Sequence, residues 1–151
     1  ENFSPLTVFR NIVDESSNLE LEAKEAGEKI IVKLLDIGIE SRPCHQDLYH
    51  GNFIIYKDET LLIDWEYSSM GDIYFDYADL FWQNEFDHDL DLRKKTLEEI
   101  GIQSIENKEK FEYFEMLSMI TWGLWAMRRS SNSPHGKKAL NNAITLLENK
   151  N

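Results

Sequence analysis

Apolar residues recur every three or four positions along most of this chain, which is the spacing of one face of an α-helix. The first such stretch starts after Asn18, a favourable N-cap residue, and runs to Gly38, a residue type that commonly ends helices. Beyond Ile73 the spacing continues to the end of the chain and is interrupted at Gly101 and Pro134. It predicts four further helices, over residues 73–84, 89–100, 107–130 and 135–149.

A different pattern separates the first helix from the later ones. Residues 52–56 and 61–65 are short apolar runs with a polar turn, 57–60, between them, so they are predicted to form a β-hairpin. Residues 1–17 mix short apolar pieces with Ser, Pro and Asp and are predicted to be a connecting segment. The pattern therefore predicts one mainly α-helical α+β domain over residues 18–151.

Composition and charge indicate which kinds of binding partner and which cellular location to expect. With 151 residues and 42% hydrophobic content, the chain can bury a single core. Its formal charge of −12 repels polyanions, so we expect no nucleic-acid partner. No apolar run approaches the roughly 18 residues of a membrane span and no signal peptide follows Glu1, so we expect a soluble domain without a membrane partner. The one thiol, Cys44, cannot form an internal disulfide, which fits a cytoplasmic location.

The segment 44–67 carries the residues that predict chemistry. His45, Asp47 and Asn52 have the spacing His-x-Asp-x-x-x-x-Asn, and Asp64 follows one hairpin later. The same spacing occurs in the catalytic loop and the metal-binding turn of kinases. In phosphoryl transfer, a carboxylate orients the acceptor hydroxyl and accepts its proton, while an amide oxygen and a second carboxylate hold Mg²⁺ on the nucleotide phosphates.

This chemistry assigns a candidate role to each of the four residues. Asp47 is the predicted catalytic base, and Asn52 and Asp64 are the predicted metal ligands. His45 belongs to the same catalytic loop and is expected to brace it. The alternative of a zinc site at His45, Asp47 and His50 is disfavoured, because three ligands would lie very close together on one loop with no clear fourth.

These residues resemble those of the choline/ethanolamine kinases, within the wider group of aminoglycoside-phosphotransferase-like kinases. Ile63-Asp-Trp-Glu-Tyr-Ser68 is similar to the Ile-Asp-Phe-Glu-Tyr-Ser of choline kinases, and Thr121-Trp-Gly-Leu-Trp125 is similar to their Trp-Gly-Leu-Trp signature. The resemblance implies the helical C-terminal lobe of a protein-kinase-like fold. No Gly-rich loop or strand lysine is seen in the sequence, so we expect the N-terminal nucleotide lobe to be absent and this fragment alone to be inactive.

The resemblance also implies an activity and a set of site residues. It implies transfer of the ATP γ-phosphoryl group, with Mg²⁺, to the hydroxyl of choline or a related amino alcohol. Trp122 and Trp125 would wall the substrate pocket together with Tyr67, and Asp76 would support the catalytic loop from the following helix. Glu66 would meet either the charge of the substrate or a structural arginine.

The chemistry of the aromatic residues also predicts a binding role for them, independently of the resemblance. A quaternary ammonium has no N–H to donate, so it is bound by aromatic faces at roughly 0.5–2 kcal/mol per ring. The alternative is that Trp122 and Trp125 only belong to the buried stripe of a long helix. Two other functions stay open: a kinase for an aminoglycoside or another small hydroxyl compound, and a non-catalytic helical interaction domain.

Overall fold

The computed structural model describes residues 18–150 apart from the side chains of Asn18 and Asp87. The predicted connecting segment 1–17 and the predicted N-cap side chain lie outside this description. The described part is mainly helical with short antiparallel strands, so the predicted fold class is confirmed. None of its helices is both long and apolar enough to cross a membrane. Its five α-helices are α1 (Asn18–Ile37), α2 (Ile73–Gln83), α3 (Leu90–Glu99), α4 (Ile105–Arg129) and α5 (Pro134–Glu148).

The helices begin and end where short polar residues and glycine can satisfy their terminal backbone groups. Gly38 has φ +104° and donates its amide to Leu34 O at 3.0 Å, which closes α1. Ser104 accepts a hydrogen bond from Asn107 N at 3.1 Å, so α4 starts two residues earlier than predicted. The other predicted helix boundaries agree with the structure to within about a residue.

The core is built around α4, which packs against α1, α2 and α5. Its buried stripe includes five large apolar residues, namely Phe111, Phe114, Leu117, Ile120 and Leu124. Gly123 lies where α5 comes closest, because a Cβ atom there would be 2.7 Å from Leu140 Cδ2. The missing side chain therefore allows the two helices to approach each other.

The predicted hairpin is present, with a shorter turn than expected. Strands β2 (Phe53–Tyr56) and β3 (Glu59–Leu62) are antiparallel, and Tyr56 pairs with Glu59. The turn therefore contains two residues and not the predicted four. Lys57 adopts φ +55° in this turn, as tight two-residue hairpin turns require.

A second strand pair was not predicted from the sequence. Strands β1 (Arg42–Cys44) and β4 (Ser69–Gly71) are antiparallel, with Pro43 opposite Met70. Each strand has only three residues, which is too short for an alternating pattern to be recognised. The pair joins the start of the segment 44–67 to its end, so the loop and the hairpin between them are held at both sides.

Candidate active site

The loop that carries Asp47 is fixed by a buried carboxylate on α2. Asp76 accepts hydrogen bonds from two consecutive amides, His45 N at 2.8 Å and Gln46 N at 2.7 Å. Gln46 has φ +67°, a left-handed conformation that is uncommon outside glycine, and it needs such external support. Burial raises the pKa of Asp76, whereas the two amide hydrogen bonds oppose this rise. Asp76 therefore holds the backbone of the two residues that precede Asp47.

His45 connects the loop to the end of the hairpin. Its Nε2 atom lies 2.9 Å from Ile63 O, and Asp47 N donates to its Nδ1 atom at 3.3 Å. Since a carbonyl oxygen only accepts and an amide N–H only donates, both contacts are satisfied by the neutral ring with its proton on Nε2. The ring also packs edge-on against Trp65, with 4.7 Å between centroids. His45 thus holds backbone on either side of the site, which is a bracing arrangement.

The Asp47 carboxylate is half-buried and is contacted by two side-chain amides. Asn52 Nδ2 donates to Asp47 Oδ2 and to its backbone oxygen, both at 2.9 Å, and Gln83 Nε2 lies 3.4 Å from Asp47 Oδ1. Burial raises the pKa of Asp47, and the hydrogen bonds from the Asn52 and Gln83 side-chain amides lower it. A carboxylate with a raised pKa is a better proton acceptor, as a general base requires.

Asp64 lies two residues beyond the end of β3. It has φ +62° and ψ +62°, which is an uncommon backbone conformation for a non-glycine residue, and its side chain is exposed. Because Asn52 directs its Nδ2 atom to Asp47, its Oδ1 atom faces away from that residue. Two oxygen donors of this kind suit Mg²⁺, which usually takes its other ligands from water and phosphate.

The zinc alternative finds no support in the described residues. They contain no group of three or more His, Cys, Asp and Glu side chains placed to hold a metal ion. The ring of His50 packs instead on Tyr49, with 4.1 Å between centroids. An Asn–Asp pair is not such a group, so this finding does not bear on a magnesium ion held partly by phosphates.

Three of the four predicted substrate residues, Tyr67, Trp122 and Trp125, form one contiguous cluster, which we call the aromatic cluster. Trp122 makes edge-to-face contacts with the other two rings, at centroid distances of 5.6 and 5.8 Å. Burial is the largest cause of a raised pKa at Tyr67, and the charge of Glu66 and a hydrogen bond with Glu66 raise this pKa further. A hydrogen bond with Trp125 lowers the pKa of Tyr67. The charge of Asp47 also raises the pKa of Tyr67, so the Asp47 carboxylate and the aromatic cluster are electrostatic neighbours.

The two tryptophans differ in their surroundings. Trp122 is 9% exposed, and its indole N–H is buried with no hydrogen-bond partner among the described residues. Trp125 is half-buried, and the guanidinium of Arg129 lies 4.0 Å above its ring. This contact shows that a cation can lie against the ring of Trp125.

Other aromatic residues of the sequence lie elsewhere. Tyr74 is partly buried against the core, where it packs on Tyr77 and Phe114. Trp82 stacks on His135 at 5.5 Å between centroids. Helical spacing alone does not separate these rings from the aromatic cluster. The separation depends on how α2 and α4 cross, which the sequence does not give.

Sequence reasoning missed a second buried acid, Asp79, and its neighbour Gln83. Asp79 is fully buried and accepts hydrogen bonds from Leu48 N at 2.8 Å and from Ser118 Oγ at 2.7 Å. Burial raises its pKa to about 7. A signal was present, because Asp79 lies one helical turn after Asp76 and therefore on the same face of α2.

The fold and the site agree with a known family. The chain belongs to the phosphotransferase enzyme family, whose model matches residues 13–107. Among curated proteins, a LicA homologue of Mycoplasma capricolum is 37% identical over 69 residues, which cover 46% of this chain and 28% of that protein.

Solved structures extend this similarity to almost the whole chain. Choline kinase LicA from Streptococcus pneumoniae matches with a TM-score of 0.77 and 26% identity, over 98% of this chain and 56% of that chain. A structure of LicA in complex with AMP matches with a TM-score of 0.78 and 26% identity, over 99% of this chain and 55% of that one. The chain thus spans about half the length of these structures, and the resemblance to the choline-kinase group inferred from the sequence is confirmed.

Proposed function

We propose that this chain is the C-terminal, catalytic lobe of a kinase that transfers the γ-phosphoryl group of ATP to the hydroxyl of choline or a related amino alcohol. The observation that carries the proposal is the aromatic cluster with Glu66 beside Asp47. It combines a base with the aromatic and anionic groups that attract an organic cation. Membership of the phosphotransferase enzyme family and the similarity to LicA proteins support the reaction class.

In the proposed reaction, Asp47 orients the acceptor hydroxyl and accepts its proton as the oxygen attacks the γ-phosphorus. The bond from this phosphorus to the β–γ bridging oxygen breaks, and ADP leaves. Asn52 keeps the Asp47 carboxylate in place through the hydrogen bond to Oδ2. His45 and Asp76 have no direct part in the chemistry and hold the loop through the contacts described above. Because burial raises the pKa of Asp47, the carboxylate has more affinity for the proton than an exposed aspartate.

The oxygen donors of Asn52 and Asp64 fit a magnesium ion, since both residue types are hard oxygen ligands and both belong to the same site. When bound to the nucleotide, Mg²⁺ would neutralise charge on the phosphates. The exposed carboxylate of Asp64 is free to turn towards the phosphates without being withdrawn from a buried hydrogen bond. The complex of LicA with AMP supports the proposal that the second substrate of the present protein is a nucleotide.

We also propose that residues 18–151 require a further lobe that binds most of the nucleotide. The β2–β3 hairpin carries large apolar side chains in water, with Ile55 79% and Leu61 50% exposed. An isolated two-stranded hairpin with such exposure is only marginally stable and is expected to be covered. A nucleotide lobe packed on the hairpin would cover these side chains and bring the phosphates to Asp64.

The experiment that tests the proposal measures phosphoryl transfer by the protein with both lobes, using choline, ethanolamine and an aminoglycoside as acceptors. Asp47→Asn should lower kcat by roughly 10²- to 10⁴-fold with little change in the KM for ATP, because only the base is lost. Asp58→Asn, an equivalent change in the exposed hairpin turn, is the control and should keep wild-type turnover.

The outcomes separate the proposed function from its alternatives. Preferred use of an aminoglycoside would assign the chain to another branch of the family. Absence of transfer to any of these acceptors, with the protein folded and both lobes present, would favour a non-catalytic interaction domain. A loss of kcat below tenfold in Asp47→Asn would remove the assignment of the base.

A further inference from the structure

The buried carboxylate of Asp79 lies beside the catalytic loop but has no direct part in the proposed phosphoryl transfer. It is fully buried on α2, and it accepts hydrogen bonds from Leu48 N at 2.8 Å and from Ser118 Oγ at 2.7 Å. Ser118 in turn accepts the indole N–H of Trp82 at 2.7 Å. Burying a carboxylate costs free energy unless hydrogen-bond donors surround it, and the donors around Asp79 offset this cost. An acid kept at such a cost beside the catalytic loop suggests a role in that loop.

Asp76 and Asp79 together hold the backbone on both sides of Asp47. Asp76 accepts hydrogen bonds from the amides of residues 45 and 46, and Asp79 accepts one from the amide of Leu48. Since the two acids lie one turn apart on a rigid helix, the spacing of the loop amides around Asp47 is set by α2. The loop therefore has a second anchor, which Asp76 alone does not supply.

Gln83 extends this anchor to the Asp47 side chain itself. Its Nε2 atom lies 3.0 Å from each oxygen of Asp79 and 3.4 Å from Asp47 Oδ1. One amide nitrogen thus lies between two carboxylates. Because both oxygens of Asp79 face this nitrogen, the Gln83 amide is held with its N–H₂ group, and not its oxygen, towards the site.

We propose that Asp79 and Gln83 form a positioning unit that orients the Asp47 carboxylate for proton transfer. The proposal rests on the function proposed above for Asp47. Asn52 fixes Oδ2 of Asp47 and Gln83 faces Oδ1, so the carboxylate is oriented from both sides. The contact at 3.4 Å is long, so its main effect is on orientation and not on stability. Misplacement of a catalytic group by about 1 Å can cost on the order of 100-fold in rate.

The test compares three single variants in the protein with both lobes. Gln83→Leu keeps the approximate size of the side chain and removes the donor, and Asp79→Asn removes the acceptor that holds the Gln83 amide. Gln103→Leu is the matched control, because Gln103 is an exposed glutamine that bonds only Glu98 O among the described residues. Gln83→Leu changes a half-buried side chain, so it should fold even if Asp79→Asn is unstable.

We expect Gln83→Leu and Asp79→Asn each to lower kcat by roughly 10- to 100-fold while the KM for ATP stays within about twofold. Gln103→Leu should keep wild-type kcat. The second readout is hydrogen exchange of the side-chain amides by NMR, which does not depend on activity. In the wild type, the Gln83 N–H₂ group should exchange more slowly than that of Gln103, and Asp79→Asn should remove this protection.

Three results would overturn the proposal: wild-type kcat in Gln83→Leu, Gln83 exchange as fast as that of Gln103, or a raised choline KM with unchanged kcat. The last result would make Gln83 a substrate contact and not a positioning residue. If the wild type phosphorylates no amino alcohol, the proposed function fails on that result alone. The exchange comparison then still decides whether the bridge from Asp79 through Gln83 exists.

Discussion

At the scale of single residues, the site gathers several acids whose pKa values are raised by burial. Burial is the largest influence on Asp47, Asp76 and Asp79, and hydrogen bonds from loop amides and side chains oppose it in each case. A raised pKa suits the role proposed for Asp47, which is to accept a proton. The side chain of Asp64, the proposed metal ligand, is exposed.

Replacement of the exposed acid tests its role as a metal ligand. Asp64→Ala should abolish Mg²⁺-dependent nucleotide binding in the protein with both lobes, because Asn52 alone leaves the ion without a charged protein ligand at this site. Calorimetric titration with ATP, with and without Mg²⁺, measures the effect, and Asp58→Ala in the hairpin turn is the control. Equal metal-dependent affinity in wild type and Asp64→Ala would show that the ligand lies elsewhere.

The buried acid Asp79 predicts a dependence of stability on pH. Its pKa is about 7 in the folded chain, against an ordinary value of 3.8, so folding favours its protonated form. Below about pH 4 both states hold the proton, so the contribution of the group to stability is complete and does not change with pH. Between about pH 4 and pH 7 the unfolded chain loses its proton first, so stability falls with rising pH, by about 4 kcal/mol at most, and is level above.

Urea unfolding of the wild type and Asp79→Asn from about pH 4 to pH 8 measures this effect. Because the other acids titrate in both proteins, the difference between the two free energies of unfolding isolates Asp79. The wild type should lose stability relative to the variant as the pH rises through this window. Parallel curves would mean that Asp79 keeps an ordinary pKa in the fold.

The residue scale also shows how far a sequence can specify a site. Asp47, Asn52 and Asp64 were predicted because a fixed spacing along one loop and one hairpin brings them together. Asp79 and Gln83 were missed because their contacts cross from α2 to the loop, more than 30 residues away in sequence. Polar residues on a helix face give no sign of such contacts until the packing is known.

At the scale of elements, the close contact between α4 and α5 depends on the absence of a side chain at Gly123. Gly123→Ala would place a Cβ atom against the fully buried Leu140, so overpacking should cost about 1–3 kcal/mol. Ala is also the better helix former, by about 1 kcal/mol, which offsets part of this loss. We expect a net decrease in the free energy of unfolding.

A double-mutant cycle measured by urea unfolding isolates the contact. In a Leu140→Ala background the clash is removed, so Gly123→Ala should be neutral or stabilising there. The same loss in both backgrounds would show that Gly123 serves something other than the approach of α5. Glu109→Ala, an exposed change on α4, controls for effects on the helix itself.

The elements were also unequally predictable. The helices follow from an apolar spacing that persists over ten or more residues, and their ends follow from Ser, Gly and Pro. Strands β1 and β4 were missed since three residues carry no readable period, and the hairpin turn was predicted too long because Glu59 and Thr60 are polar yet pair in the ladder. Short strands depend on their partner and not on their own composition.

At the scale of the whole molecule, the charge supports the proposal of a small cationic substrate. The formal charge of −12 attracts cations over the surface, and Glu66 and Asp47 place negative charge next to the aromatic cluster. The cluster adds aromatic faces that bind a trimethylammonium group without hydrogen bonds. An ammonium that donates three hydrogen bonds loses more hydration there, so choline should have a higher kcat/KM than ethanolamine.

The most direct test of this pocket is the KM for choline of Trp125→Leu and Trp125→Phe in the protein with both lobes. Trp125 is half-buried, so these changes disturb the core less than a change at Trp122. Loss of one cation–π contact should raise the choline KM about 2- to 30-fold in Trp125→Leu, with most of the affinity kept in Trp125→Phe and the KM for ATP unchanged. If both variants lose thermal stability but keep the wild-type KM for choline, Trp125 is a core residue and the aromatic cluster is not the substrate pocket.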